Sequence, residues 1–230
     1  MSLLPLEPPI LLLDAATPVL TVGLQPGPDT NASVWRTSQE EAGIALFRET
    51  AALFQAHQIN AEDLRTVVFC EGPGSLLGIR LVAMALRTWM ALPRRAPLRV
   101  LAYRSLALVA ADLISEGSPP PFHVLMDARR ESWNLLTVSA PRSIGEIRRC
   151  ATAELPRDGG TLFYPAGFPH WQPLPEGIRS TAYRPRAVLD RADPFPWLRD
   201  VEAPDAFMTE MPAYRPWKPG APAPESTIHP

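Results

Sequence analysis

Short apolar runs alternate with polar turns along most of the chain, and their periods separate strands from helices. Residues 10–13 (ILLL) are an apolar run closed by Asp14, and residues 18–24 alternate loosely after it, which predicts a hairpin. A third strand is predicted at 33–36. Between 39 and 58, Ile44, Phe47, Ala51 and Phe54 recur at three and four residues with no proline between them, the period of a helix. Residues 67–70 (VVFC) are β-branched and aromatic and stop at Gly-Pro-Gly, as a buried strand does.

The segment 79–92 reads as a helix of unusual character. Ile79, Val82, Ala83, Leu86 and Met90 form one stripe, while Leu81, Ala85, Trp89 and Leu92 stand on other sides. A helix apolar nearly all round must be covered nearly all round. Either it lies at the centre of a large core, or one face packs on its own sheet and the other on a partner. Further on, a strand is predicted at 98–102, a helix at 104–115, and a hairpin around the polar turn DARRE in FHVLMDARRESWNLLTVSA. The texture then changes: 15 of the 28 prolines follow Leu155, so the C-terminal part is predicted to be loop-rich, with a short element at 161–164 and a loose tail at 218–230.

With 230 residues, 46% of them hydrophobic, the chain is long enough for one large domain or two modest ones. A net charge of -2 supplies no general attraction to nucleic acid or anionic lipid. The arginines at 94, 95, 99, 148 and 149 read as solvated surface. Two cysteines, Cys70 and Cys150, make neither a disulfide framework nor a zinc set. The opening MSLLPLEPPILLLD has no basic residue before its apolar part and reaches Asp14 too early for a secretory or membrane helix. A soluble protein of the cytoplasm is expected.

The stretch EGPGSLLGIR, residues 71–80, is the strongest candidate for chemistry. A Walker loop would place Lys-Ser or Lys-Thr after its second glycine, and no lysine is present. Gly72, Gly74 and Gly78 are spaced one residue too widely for a dinucleotide fingerprint, and Pro73 removes a backbone donor. A rigid strand-to-helix turn accounts for the same residues. Gly72 and Gly74 permit positive φ, Pro73 fixes the turn, Ser75 caps the helix, and Gly78 allows close packing. The helix N-terminus still offers donors to an anion. Elsewhere, His57, His123, His170 and His229 lie far apart in sequence, Ser75 is not in a hydrolase elbow, and Asp14, Asp127 and Glu131 suit turns and caps.

Several of these segments, taken together, resemble the TsaB (YeaZ) family. Asp14-Ala-Ala-Thr17, the TVGL strand, EGPGSLLGIR, MDARRE before WNLLTV, and MPAYRP occur in the family's order across residues 10–217. The usual Gly-Pro-Gly-Ser-Phe-Thr-Gly-x-Arg is kept at Gly72, Pro73, Gly74, Ser75, Gly78 and Arg80, with Leu76-Leu77 replacing Phe-Thr, and Asp127 and Arg129 give a second match. The resemblance implies an α/β fold of the ASKHA type, shared with actin and sugar kinases, with two lobes of mixed sheets flanked by helices. The division expected is an N-terminal lobe at 1–103, a proline-rich and reduced second lobe at 104–217, and a tail at 218–230.

The resemblance also implies a role. TsaB proteins are regarded as non-catalytic partners of TsaD, which transfers a threonylcarbamoyl group to adenosine 37 of tRNAs reading codons that begin with A. By that pattern this chain pairs with TsaD, with TsaE joining, meets tRNA only through the complex, forms a homodimer when alone, and avoids membranes. No metal or cofactor of its own is expected; ATP acts in the assembled complex. The motif residues Asp14, Thr17, Gly72, Pro73, Gly74, Ser75, Gly78, Arg80, Asp127 and Arg129 are then structural, with at most a weak nucleotide contact. The partner face is expected around Ile44, Phe47, Phe54, Ile79, Val82, Ala83, Leu86, Trp89 and Met90. The rival readings are a self-associating protein of the same fold that has left the tRNA pathway, and a peptidase or phosphotransferase.

Overall fold

The structure is a computed structural model that describes residues 6–94, 96–141, 143–157, 159–190 and 198–209. Arg95, the MPAYRP segment and the expected tail at 218–230 lie outside the described residues. In chain order the elements are β1 (Ile10–Asp14), β2 (Leu20–Gln25), β3 (Val34–Ser38), α1 (Ala42–His57), β4 (Thr66–Gly72), α2 (Leu76–Ala91), β5 (Arg99–Arg104) and α3 (Ser105–Ser115). They continue with β6 (Phe122–Asp127), β7 (Ser132–Ala140), β8 (Ser143–Ile144), β9 (Arg148–Ala151), β10 (Thr161–Pro165), β11 (Arg179–Thr181) and β12 (Arg199–Asp200).

Two mixed sheets organise these elements, as a two-lobe α/β fold requires. The first runs β12-β5-β4-β1-β2-β3; the second runs β11-β10-β6-β7-β8, with β9 also paired to β7. At the centre of the first, β1 is antiparallel to β2 and parallel to β4, with Leu12 opposite Gly23 and Val68. The apolar runs of β1 and β4 are continuous because both faces of these strands are covered. Leu11, Leu13, Val67 and Phe69 meet Ala45, Leu46 and Leu53 of α1 and Val82 and Leu86 of α2. Ile10, Leu12, Val68 and Cys70 point the other way, into a core shared with α3 and the second sheet.

The helix covered on every side is α3 rather than α2. Every residue from Ser105 to Leu113 is buried, and α3 packs on β4 and β5 of one sheet and on β6 and β7 of the other. Its sequence SLALVAADLIS, with a single charged residue, fits a position between two sheets. Beyond α3 the described residues contain strands and short 3-10 turns but no further α-helix.

The first sheet does not close at residue 103. Strand β12 returns to pair with β5, Arg199 opposite Ala102, and Phe207 N–H donates to the Glu71 carbonyl. Strand β12 and Phe207 therefore belong in space beside the first lobe.

Candidate functional site

The motif segments meet at the C-terminal ends of β1 and β4. Gly72 adopts φ +108, in accordance with its expected freedom, and the Gly72–Pro73 peptide is cis. Gly74 is required for space instead. A Cβ there would stand 2.4 Å from the Ala16 carbonyl oxygen, and one at Gly78 would stand 2.5 Å from that of Ala15. Ser75 caps α2 as expected, its Oγ accepting from Gly78 N–H at 3.3 Å, while its own N–H donates to the Ala16 carbonyl at 2.7 Å. Ser105 Oγ donates to the Pro73 carbonyl at 2.6 Å. The Asp14-Ala-Ala-Thr17 turn and the glycine loop are thus two halves of one interlock. Thr17 spends its hydroxyl on Val19, and Arg80 stands exposed with Nη2 3.9 Å from Met208 Sδ.

Asp14 is fully buried at this junction. Its Oδ1 accepts from Ala16 N–H at 2.9 Å; its Oδ2 accepts from the Tyr103 hydroxyl and, at 2.5 Å, from the Tyr183 hydroxyl. Tyr183 lies 3.5 Å from Cys70 Sγ and comes from the second half of the chain, so the cluster fastens that half to the first sheet. Burial raises the Asp14 carboxyl above its usual range against the lowering effect of these hydrogen bonds. Burial first, and the Asp14 charge second, push the Cys70 thiol and the Tyr103 and Tyr183 phenols well up. The thiol and both phenols are thereby held protonated, and a thiol so held is a poor nucleophile. Beside it, the buried Glu71 carboxylate is held by Arg199 and Arg104, and Arg104 stacks 3.9 Å from the Phe207 ring. Neither tyrosine, nor the Glu71 pairing, is marked by any periodicity in the sequence.

The helical faces correct half of the expected partner surface. Ile79, Val82, Ala83 and Leu86 lie in the chain's own core and are not available to a partner. Phe54, Trp89 and Met90 are partly buried at its edge. The residues that face outward are Ile44 (60% exposed) and Phe47 (53%) on α1 with Leu77 (71%) and Met84 (63%) on α2. Leu81 lies against Gly43, so the two helices pack side by side and their apolar positions share one outer face. Where α1 meets β3 the surface is charged: Arg48 pairs with Glu40 and Glu49, and Glu49 also with Arg36. Leu77 and Met84 escaped sequence reading because α2 carries two apolar stripes and periodicity does not say which is inside.

Asp127 and Arg129 build a second feature, at the end of β6 in the second sheet. Asp127 is buried at the end of β6; its Oδ1 accepts from Arg129 N–H at 2.6 Å, its Oδ2 from Trp171 and Gln172 N–H at 2.7 and 3.2 Å. Arg129, Arg130 and Glu131 all take left-handed backbone, φ 63, 51 and 56. For such residues that conformation costs on the order of 1–2 kcal/mol each, so it persists because the surroundings impose it. Arg149 of β9, read from sequence as solvated surface, helps impose it by donating to Ser132 Oγ at 2.7 Å and to the Ala128 and Arg129 carbonyls at 3.3 Å.

Among the described residues no group of three or more His, Cys, Asp or Glu is placed to hold a metal ion, and no helix is long and apolar enough to cross a membrane. No protein-family model matches the sequence, and no curated protein matches it. The fold has solved counterparts. An uncharacterised protein with similarity to peptidase YeaZ from Pseudomonas aeruginosa superposes with a TM-score of 0.55 at 17% identity, over 78% of this chain and 88% of that one. YeaZ from Pseudomonas aeruginosa superposes with a TM-score of 0.54 at 18% identity, over 78% of this chain and 89% of the other. The chain has the YeaZ fold.

Proposed function

We propose that this chain is a TsaB-type protein of the cytoplasm: a non-catalytic partner of TsaD that supports threonylcarbamoylation of adenosine in tRNA, with TsaE joining the assembly. The YeaZ fold and the ordered motifs support the placement. The observation that carries the role is the outer face of α1 and α2, where Ile44, Phe47, Leu77 and Met84 stand exposed, with paired charges along the α1 side. Large apolar side chains gathered on one face are the mark of a protein interface rather than of ordinary surface. The glycine loop contributes by fixing α2 to the first sheet, so that this face is rigid. ATP and tRNA engage the assembled complex, and the chain itself binds neither metal nor cofactor.

A second reading shares the same face. With TsaD absent, two copies close on each other through it, and the Leu76-Leu77 pair, both exposed here, enlarges the apolar area available for that contact. A chain diverged from the tRNA pathway would keep this homodimer alone.

Reconstitution tests the role. TsaD and TsaE from the same organism are incubated with tRNA, the threonylcarbamoyl donor and ATP, and the modified nucleoside is quantified by mass spectrometry. Modification is expected to require this chain and to fall at least tenfold with Phe47→Asp. Modification that proceeds equally without the chain contradicts the proposal.

A further inference from the structure

The turn after β6 and the loop at 168–172 have no part in the helical face, yet the chain builds them with care. The carboxylate of Asp127 divides its two oxygens between them, one fixing Arg129 N–H and the other fixing Trp171 and Gln172 N–H. Gln172 Nε2 further donates to the Ser132 carbonyl at 2.9 Å. The result is an indole 58% exposed, with the Arg129 guanidinium stacked 4.1 Å from its ring centroid. Arg130 follows, exposed, and among the described residues neither arginine is paired with a carboxylate. Left-handed backbone at both arginines is a costly way to make a turn, and here it aims one guanidinium across an aromatic face and leaves the next in solvent.

We infer that Trp171, Arg129 and Arg130 form a docking shelf for single-stranded nucleic acid, a base stacking on the exposed indole while the guanidiniums take the adjoining phosphates. Stacking on an aromatic platform beside unpaired cations is the chemistry by which single strands are held without sequence preference. Glutamate side chains of an acidic peptide would satisfy the arginines but offer no planar ring to the indole face that Arg129 leaves open. The net charge of -2 makes the attraction local, so affinity is modest and salt-dependent. The shelf does not rest on the TsaD reading: it is a property of the isolated chain, and either claim stands if the other fails.

The test titrates the full chain into a labelled single-stranded oligoadenylate of about 12 nucleotides, followed by fluorescence anisotropy at several salt concentrations. The wild type is expected to bind, Trp171→Ala to bind at least about tenfold more weakly, and Trp171→Phe to recover part of the loss. Arg130→Asn, which tolerates the left-handed backbone, is expected to lower the salt slope by roughly 0.7. Thermal unfolding of each variant at the wild-type temperature guards against misfolding, since both side chains are exposed. Absence of binding by the wild type, or equal binding by Trp171→Ala, overturns the shelf. Equal affinity for a glutamate-rich peptide of the same length overturns the assignment to nucleic acid.

Discussion

Replacing Gly74 with alanine tests whether the glycine loop is a packed interlock. A Cβ at position 74 would stand 2.4 Å from the Ala16 carbonyl oxygen, 2.8 Å from Ala16 Cβ and 2.9 Å from Ala16 Cα. Comfortable carbon contacts begin at about 3.5 Å, and none of these atoms can rotate away, so the loop must retreat by roughly 1 Å. That retreat strains the 2.7 Å hydrogen bond from Ser75 N–H to the Ala16 carbonyl. Overpacking costs about 1–3 kcal/mol and the weakened bond about 1 kcal/mol, so a loss of about 2–4 kcal/mol is expected. Gly27 is the control: a Cβ there meets nothing within 4 Å, and Gly27→Ala should fall within about 0.5 kcal/mol of wild type. Urea denaturation followed by circular dichroism reads both. In an Ala16→Gly background, Gly74→Ala should cost less but still cost, because the carbonyl remains. Gly74→Ala as stable as Gly27→Ala would refute the interlock.

Two further predictions concern burial. The folded Asp14 carboxyl is raised, so its contribution to stability is fully present below the unfolded value near 3.8 and is lost as pH rises through the folded value. Asp14→Asn should therefore gain on the wild type as pH climbs from about 4 toward neutrality, read by thermal melts across that range; a constant difference between the two would contradict it. On α2, Leu86→Ala, at a fully buried position, should cost about 2–5 kcal/mol, whereas exposed Met84→Ala should stay within about 0.5 kcal/mol. Comparable losses at both positions would mean that the helix is rotated.

Much of the first lobe was legible because its strands are buried on both faces and its helices are long. The apolar runs at 10–13 and 67–70 and the glycine break after them mark β1, β4 and the turn to α2. The short elements β8, β9, β11 and β12 were not legible: two to four residues such as RRCA or RST carry no period, and only pairing defines them. The motif residues were found, but their roles were partly misjudged. Gly74 serves space rather than positive φ, and Arg149 serves the DARRE turn rather than solvent. Which apolar residues face outward was half read, since α1 and α2 each present apolar residues on two sides and only tertiary packing decides between them. Tyr183 and Trp171 were missed because both lie in irregular loops of the proline-rich half, where no pattern announces a contact across the fold.

Docking of a partner on the α1 and α2 face is read by mixing this protein with TsaD from the same organism in size-exclusion chromatography with light scattering. A one-to-one complex is predicted for the wild type, lost in Phe47→Asp and in Met84→Asp while both variants keep their far-ultraviolet spectrum and melting temperature. A wild type that remains a homodimer and ignores TsaD, or a complex that both variants retain, would contradict it.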